Sequence, residues 1–294
     1  MRAGLLAAMA ASLLATAPAD ASFPGRNGRL AWEFEEYDRE GIQDHAIEIR
    51  GLDGKVRARL SRCKSLDSEE GTEGMCVYNP SFSPSGKRLT FDREGRLAFA
   101  APSGKSLVVL PKLTGADDDP AFSPDGKELV FTGKEGRRHN LYTVRLDGGG
   151  LKQITRNGGK WPAWSSKGQI AYCDGKHVWV MRPGRPGRTR VATGRHPDWS
   201  PSGRSVAYDY KRSIYRKGVR KGAARKRLVR NGVRPAFSPN GKRIVFQGDR
   251  GVNASILTMD ARSGRRRKLI RRGGELDVGS VFGYYMAPAW QPLP

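Results

Sequence analysis

The chain runs to 294 residues and carries 53 Lys and Arg against 29 Asp and Glu, a net charge of +24. Its 3 Cys and 4 His are scattered, so no C-x-x-C or His-bearing metal spacing forms, and there is no G-x-S-x-G elbow, H-E-x-x-H pair or phosphate loop. Beyond the N-terminus no helical periodicity of useful length occurs, which argues against solenoids of helix pairs.

In chain order, Arg2 precedes an apolar run from Ala3 to Ala15 and then small residues. Ala17-Pro18-Ala19 and Ala19-Asp20-Ala21 both suit cleavage, so residues 1–21 read as a secretory signal peptide with processing after Ala19 or Ala21. A retained anchor is the other reading of such a run. Gly25-Arg26-Asn27-Gly28-Arg29-Leu30-Ala31-Trp32 then opens a pattern that the rest of the chain repeats.

The repeats are five near-copies of one phrase. They begin at Pro80-Ser81-Phe82-Ser83-Pro84-Ser85-Gly86, Pro120-Ala121-Phe122-Ser123-Pro124-Asp125-Gly126, Pro162-Ala163-Trp164-Ser165-Ser166-Lys167-Gly168, Pro197-Asp198-Trp199-Ser200-Pro201-Ser202-Gly203 and Pro235-Ala236-Phe237-Ser238-Pro239-Asn240-Gly241. Their turn glycines lie 40, 42, 35 and 38 residues apart, a period that marks one supersecondary unit repeated around a shared core. Ser-Pro-x-Gly suits a tight turn, and the leading Pro fits the first residue of a strand. The alternation after the turn (Leu89 and Phe91, Leu129 and Phe131, Ile170 and Tyr172, Val206 and Tyr208, Ile244 and Phe246) predicts a second strand. Two further short runs follow each hairpin, so each unit predicts the four antiparallel strands of a propeller blade.

The N-terminal fragment lacks the first half of the phrase, and Pro288-Ala289-Trp290-Gln291-Pro292 supplies it at the other end. Five whole units plus one shared unit predict an all-β, six-bladed propeller over residues 22–294, closed by pairing Pro288 to Pro292 with Arg29 to Phe34. Closure removes exposed strand edges. The phrase resembles the PD40 (WD40-like) repeat of the TolB-type six-bladed propellers over residues 23 to 292. That resemblance implies a non-enzymatic secreted or envelope protein. The same propeller also occurs as an accessory domain in prolyl-oligopeptidase-like peptidases, but no hydrolase domain follows it here. The N-terminal α/β domain of TolB is expected to have no counterpart here, which weakens the carry-over of its lipoprotein partner.

Cys63 and Cys76 bracket an insertion that explains the 58 residues between Gly28 and Gly86. In an exported protein the pair is expected as a disulfide, stabilising by on the order of 3 kcal/mol. Cys173 is expected as a buried free thiol. The acids of that insertion (Asp67, Glu69, Glu70 and Glu73) lack the ladder of a calcium loop. The segment from Arg271 to Met286, ending in Val281-Phe282-Gly283-Tyr284-Tyr285-Met286, is expected as a loop that either contacts a ligand or plugs the channel.

Charge is uneven. Residues 1–150 hold 21 basic and 22 acidic side chains, and residues 151–294 hold 32 and 7. The excess of blades 4 to 6, with Arg265, Arg266, Arg267 and Lys268 at its densest, reads either as a polyanion-binding flank or as solvated outer strands.

Positions flanking each leading Pro should reach the channel mouth: Asn79, Asp119, Trp161, His196, Arg234 and Ala287 before it, and mostly small residues after it. Asp198 departs from that rule, and Asp117-Asp118-Asp119 adds charge at the same end. Asn79, Asp118, Asp119, Trp161, His196, Asp198 and Arg234 are therefore the candidate binding residues, or else turn caps and partners of Arg195 and Arg234. The chain reads as a secreted, periplasmic or envelope-associated monomeric binding module without cofactor or bound metal. Its partner is expected to be a protein or an anionic envelope polymer rather than nucleic acid. A metal-assisted hydrolase or lactonase at the channel mouth is the alternative.

Overall fold

The computed structural model describes residues 23–38, 43–65, 76–248, 255–265, 267–271 and 280–294. The expected signal peptide and the acids Asp67, Glu69, Glu70 and Glu73 lie outside the described residues. The described strands form six four-stranded antiparallel sheets, each one blade. Blade 1 orders Ser280–Leu293, Arg26–Asp38, Gln43–Arg50 and Val56–Ser65; blade 2 orders Val77–Phe82, Leu89–Arg93, Leu97–Ala100 and Val108–Val109. Blade 3 orders Ala116–Phe122, Glu128–Glu135, Arg138–Arg145 and Lys152–Gln153; blade 4 orders Lys160–Trp164, Ile170–Cys173, His177–Met181 and Arg188–Thr193. Blade 5 orders Arg195–Trp199, Ser205–Tyr210, Ser213–Gly218 and Arg225–Arg230; blade 6 orders Gly232–Phe237, Arg243–Gly248, Ser255–Asp260 and Lys268–Arg271. The repeat phrase thus builds the first two strands of every blade.

The phrase explains itself locally. Gly86 N–H donates to the Ser83 carbonyl at 2.9 Å, and the buried Ser83 hydroxyl accepts from Arg88 N–H at 3.1 Å. Ser123, Ser165, Ser200 and Ser238 accept in the same way from Glu128, Gln169, Ser205 and Arg243. The serine is therefore a turn cap, and the glycines beside it take φ of +55° to +70°.

Cores form between blades rather than within them. Ile47, Ile49 and Leu60 of blade 1 pack with Phe82, Leu89 and Phe91 of blade 2. Equivalent clusters fill the seams onward to blade 6. The last seam joins Val245 and Ile256 of blade 6 to Leu30, Trp32 and Trp290 of blade 1, which closes the ring. Each such side chain contributes about 1.5–3 kcal/mol on burial.

Closure is longer than the sequence predicts. Arg26 pairs with Leu293, and the ladder continues through Phe34 with Tyr285 to Asp38 with Ser280. The backbone from Ser280 to Met286 therefore extends the closing strand instead of forming a loop. Likewise Cys63 stands inside the strand Val56–Ser65, opposite His45. Blade 1 is consequently taller than its neighbours, which accounts for part of the wide spacing between Gly28 and Gly86. Strands alternate in direction, so the leading Pro of every blade lies at one end of the channel, the mouth. The first–second and third–fourth turns all lie at the opposite end, the base.

Candidate ligand site at the channel mouth

Proline has no N–H to give to a ladder, so the strand bulges where the phrase begins. Pairing of the first two strands breaks register between Tyr78 and Ser81, Asp118 and Ala121, Lys160 and Ala163, Arg195 and Asp198, and Val233 and Ala236. In each bulge the residue before Pro takes positive φ: Asn79 53°, Asp119 53°, Trp161 52°, His196 46° and Arg234 49°. Such a conformation costs on the order of 1–3 kcal/mol for a non-glycine residue and persists only where surroundings impose it. All five side chains line the mouth.

What imposes it is a second ring of polar groups from neighbouring blades. Glu33 of blade 1 accepts the Asn79 N–H of blade 2 at 2.5 Å. Asp209 of blade 5 accepts the Arg234 N–H of blade 6 at 3.1 Å. Asp119 of blade 3 bonds the Trp161 N–H of blade 4 and takes a further bond from Thr132 at 2.9 Å. Asp209 also binds His196 Nδ1 at 2.7 Å, which fixes the imidazole in its bulge. Above it the His196 and Trp161 rings meet at 4.2 Å between centroids.

A cavity of about 360 Å³ opens among Glu33, Asp92, Asp118, Asp119, Trp161 and Arg234, with His139 and Lys160 on its rim. Its electrostatics are governed by burial. Glu33 titrates above the usual carboxylate range because it is buried, an effect that the Arg234 charge and the Asn79 amide partly offset. Asp119 is raised for the same first reason. Burial and the hydrogen bond with Asp118 push Asp92 up to about 8. Asp92 therefore keeps its proton at neutral pH and can donate it to the Asp118 carboxylate. His139 is lowered by burial and by the Lys160 charge. Below this cavity the channel narrows to about 190 Å³, walled by the leading prolines and by Ser81, Ala121, Ala163, Ala236 and Ala289.

The expected residues fall into two groups. Asn79, Asp119, Trp161, His196 and Arg234 converge as one ring, with Asp118 in the cavity above. Asp198 lines the channel but its carboxylate accepts the Phe237 N–H of blade 6 at 2.7 Å, so it also ties two blades. Asp117 is buried and caps a loop, accepting from Leu113 N–H, Thr114 N–H and the Thr114 hydroxyl. The side chain of Ala287 lies outside the described residues. Among the described residues no three His, Cys, Asp or Glu converge into a metal-holding group.

No family model matches the chain. An uncharacterized protein of Agrobacterium fabrum is 26% identical over 242 residues, covering 72% of this chain and 80% of that one. The Tol-Pal system protein TolB of Helicobacter hepaticus is 30% identical over 105 residues, covering 34% of this chain and a quarter (25%) of TolB. Among solved structures, TolB from Acinetobacter baumannii superposes with a TM-score of 0.67 at 17% identity, over 92% of this chain and 68% of that one. A putative TolB from Agrobacterium tumefaciens superposes with a TM-score of 0.64 at 19% identity, over 90% and 99% of the two chains. The fold is that of a TolB-like six-bladed propeller.

Sequence reasoning missed the second ring of this TolB-like propeller. Glu33, Asp92, Thr132, Cys173, Asp209 and Gln247 occupy one repeat position, directly after the buried aromatic of the second strand. A column in which every member is polar or a thiol, inside an otherwise apolar strand, was the available signal. Cys173 is a buried free thiol, as expected, held to the Gly194 carbonyl at 3.2 Å. Burial pushes its pKa up to about 11, so it is unreactive. Of the basic flank, Arg265, Arg267 and Lys268 are exposed at the base end of blade 6; Arg266 lies outside the described residues.

Proposed function

We propose that the chain is an exported, envelope-associated binding propeller, not an enzyme, whose channel mouth receives a protein partner. The observation that carries this reading is the ring of five non-glycine residues at positive φ, three of which (Asn79, Trp161 and Arg234) give their backbone N–H to a carboxylate of the preceding blade. It is preorganised, concave and mixed in chemistry: an aromatic pair at Trp161 and His196, a cation at Arg234, an amide at Asn79 and acids at Asp118 and Asp119. A polypeptide presents the matching set of charges, amides and apolar groups. Asp119 is occupied by the Trp161 amide of the next blade, which suits a rigid docking platform better than proton transfer. The Tol-Pal system protein resemblance and the expected signal peptide support placement in the envelope.

A photo-crosslinker at position 161, compared with one at Lys105 on the base, tests the reading in envelope extract. The mouth probe should capture a discrete protein and lose it when Arg234→Ala is added; capture equal at both positions would refute the assignment. Turnover of lactone or uronate substrates that disappears in His196→Ala would instead establish the hydrolase reading. Export is expected to leave Cys63 bonded to Cys76 and Cys173 reduced. Non-reducing peptide mapping checks this, and any Cys173-linked peptide counts against it.

A further inference from the structure

The six large apolar side chains exposed among the described residues are Leu52, Val56, Leu107, Val108, Val109 and Leu151. In the structure all six stand on the third–fourth hairpins of blades 1, 2 and 3, around the turns that follow Arg50, Ala100 and Arg145. Those hairpin turns point to the base. Leu52, Leu107 and Leu151 are 56%, 46% and 43% exposed, values that a side chain keeps in water only at a free-energy cost.

The other half of the same end is basic. The third–fourth hairpins of blades 4, 5 and 6 expose Arg182 and Arg185, Arg220 and Lys221, and Arg262 and Arg265. Cross-blade bonds hold these hairpins side by side: Lys217 Nζ donates to the Val191 carbonyl at 2.8 Å, and Lys226 Nζ to the Arg262 carbonyl at 2.8 Å. The carboxylate at this end of the sector, Asp260, is engaged by the Arg262 and Ser263 amides of its own turn. In the apolar half, Asp53 and Asp147 are paired with Arg57 and Arg145. One end of the disc therefore joins hairpins with exposed leucines and valines in and beside their turns to a cation-rich sector over the other half of the circuit.

We propose that the base is a membrane-docking face that rests on a bilayer of anionic phospholipid. Its arginines and lysines would meet headgroup phosphates, and Leu52, Leu107 and Leu151 would enter the interfacial zone. Hairpins gathered at one end of the ring, with apolar and cationic side chains together, suit a surface, whereas a linear polyanion would be served by the charges alone and leave the leucines without a role. The inference shares only the envelope location with the partner-binding reading. The mouth faces away from the lipid, so vesicle binding is read without any partner and the two stand or fall separately.

The test is co-sedimentation of the full chain with phosphatidylcholine vesicles, with and without phosphatidylglycerol. Binding should require the anionic lipid and weaken as salt is raised. Combined Arg185→Gln, Arg220→Gln, Lys221→Gln and Arg265→Gln should lower affinity on the order of a hundredfold or more and flatten the salt dependence. Combined Leu52→Ser, Leu107→Ser and Leu151→Ser should lower it on the order of tenfold with the salt dependence unchanged. All seven positions are exposed, so both variants should melt like the wild type. Equal binding to neutral vesicles, or wild-type binding by either variant, overturns the proposal. So does a soluble phosphodiester polymer bound as tightly as vesicles and indifferent to the leucine changes, which would make the surface a polymer site.

Discussion

Single residues in this fold act across blades, and Gly86 shows the scale of the effect. It takes φ of +66°, and a Cβ placed there would stand 1.9 Å from the Pro292 carbonyl oxygen of the closing strand. Gly168 occupies the same turn position at +70° with nothing within 4 Å. Gly168→Ala should cost about 1 kcal/mol from conformation alone. Gly86→Ala should cost at least about 2 kcal/mol more, because backbone must move. Denaturant titration of both variants checks this, and equal losses would show that the closing strand is not seated on that turn. Asp92 provides a pH test. Folded, it holds its proton to about 8; unfolded, it ionises around the ordinary aspartate value of 3.8. Between those values the native state binds the extra proton, so stability falls as pH rises through the window and levels above it. Asp92→Asn abolishes this dependence. Its stability advantage over the wild type should grow from pH 4 to pH 8, by on the order of a few kcal/mol; parallel profiles would show that Asp92 is not protonated in the folded protein.

At the scale of elements, the closing strand carries the most consequence for its length. Gln291 is buried there, donating to the Gly86 carbonyl at 2.8 Å and accepting from Arg29 N–H at 3.1 Å. Deleting residues 287–294 removes these bonds, uncovers Trp32 and opens the last seam. The melting temperature should drop by more than about 10 °C by calorimetry, and an unaltered melt would contradict ring closure. This strand was legible because Pro288-Ala289-Trp290 repeats half of a phrase whose other half opens the chain. Its extension from Ser280 was not: Val281 to Met286 is an apolar run whose length and composition fit a plug as well as a strand, and pairing with Glu33 to Asp38 joins segments with no shared motif. The first ring of the mouth was legible for a related reason, since a leading Pro forces a bulge wherever it occurs. The ring beneath it hid in the second strand, where a polar side chain in an alternating pattern looks solvent-facing. Only the approach of the next blade turns Glu33 and Asp209 toward a neighbour's amide.

For the whole molecule, the split between halves of the chain becomes a split between regions of a disc. Blades 1 to 3 hold most of the buried acids and the exposed leucines, and blades 4 to 6 hold the excess of cations, so the two proposed contacts would be made at opposite ends. Ring closure has a further consequence in time. Arg26 finds its strand partner at Leu293, nearly the full chain away, and the first blade lacks its inner strand until the last residues are available. Contacts of such long separation form slowly and late. During synthesis the leading blades present open edges and an unfilled seam, and the cooperative structure cannot lock before the C-terminus is delivered. The architecture thereby defers its own completion, so a β-rich chain stays open until its last strand arrives, and the proposed export would draw on that interval.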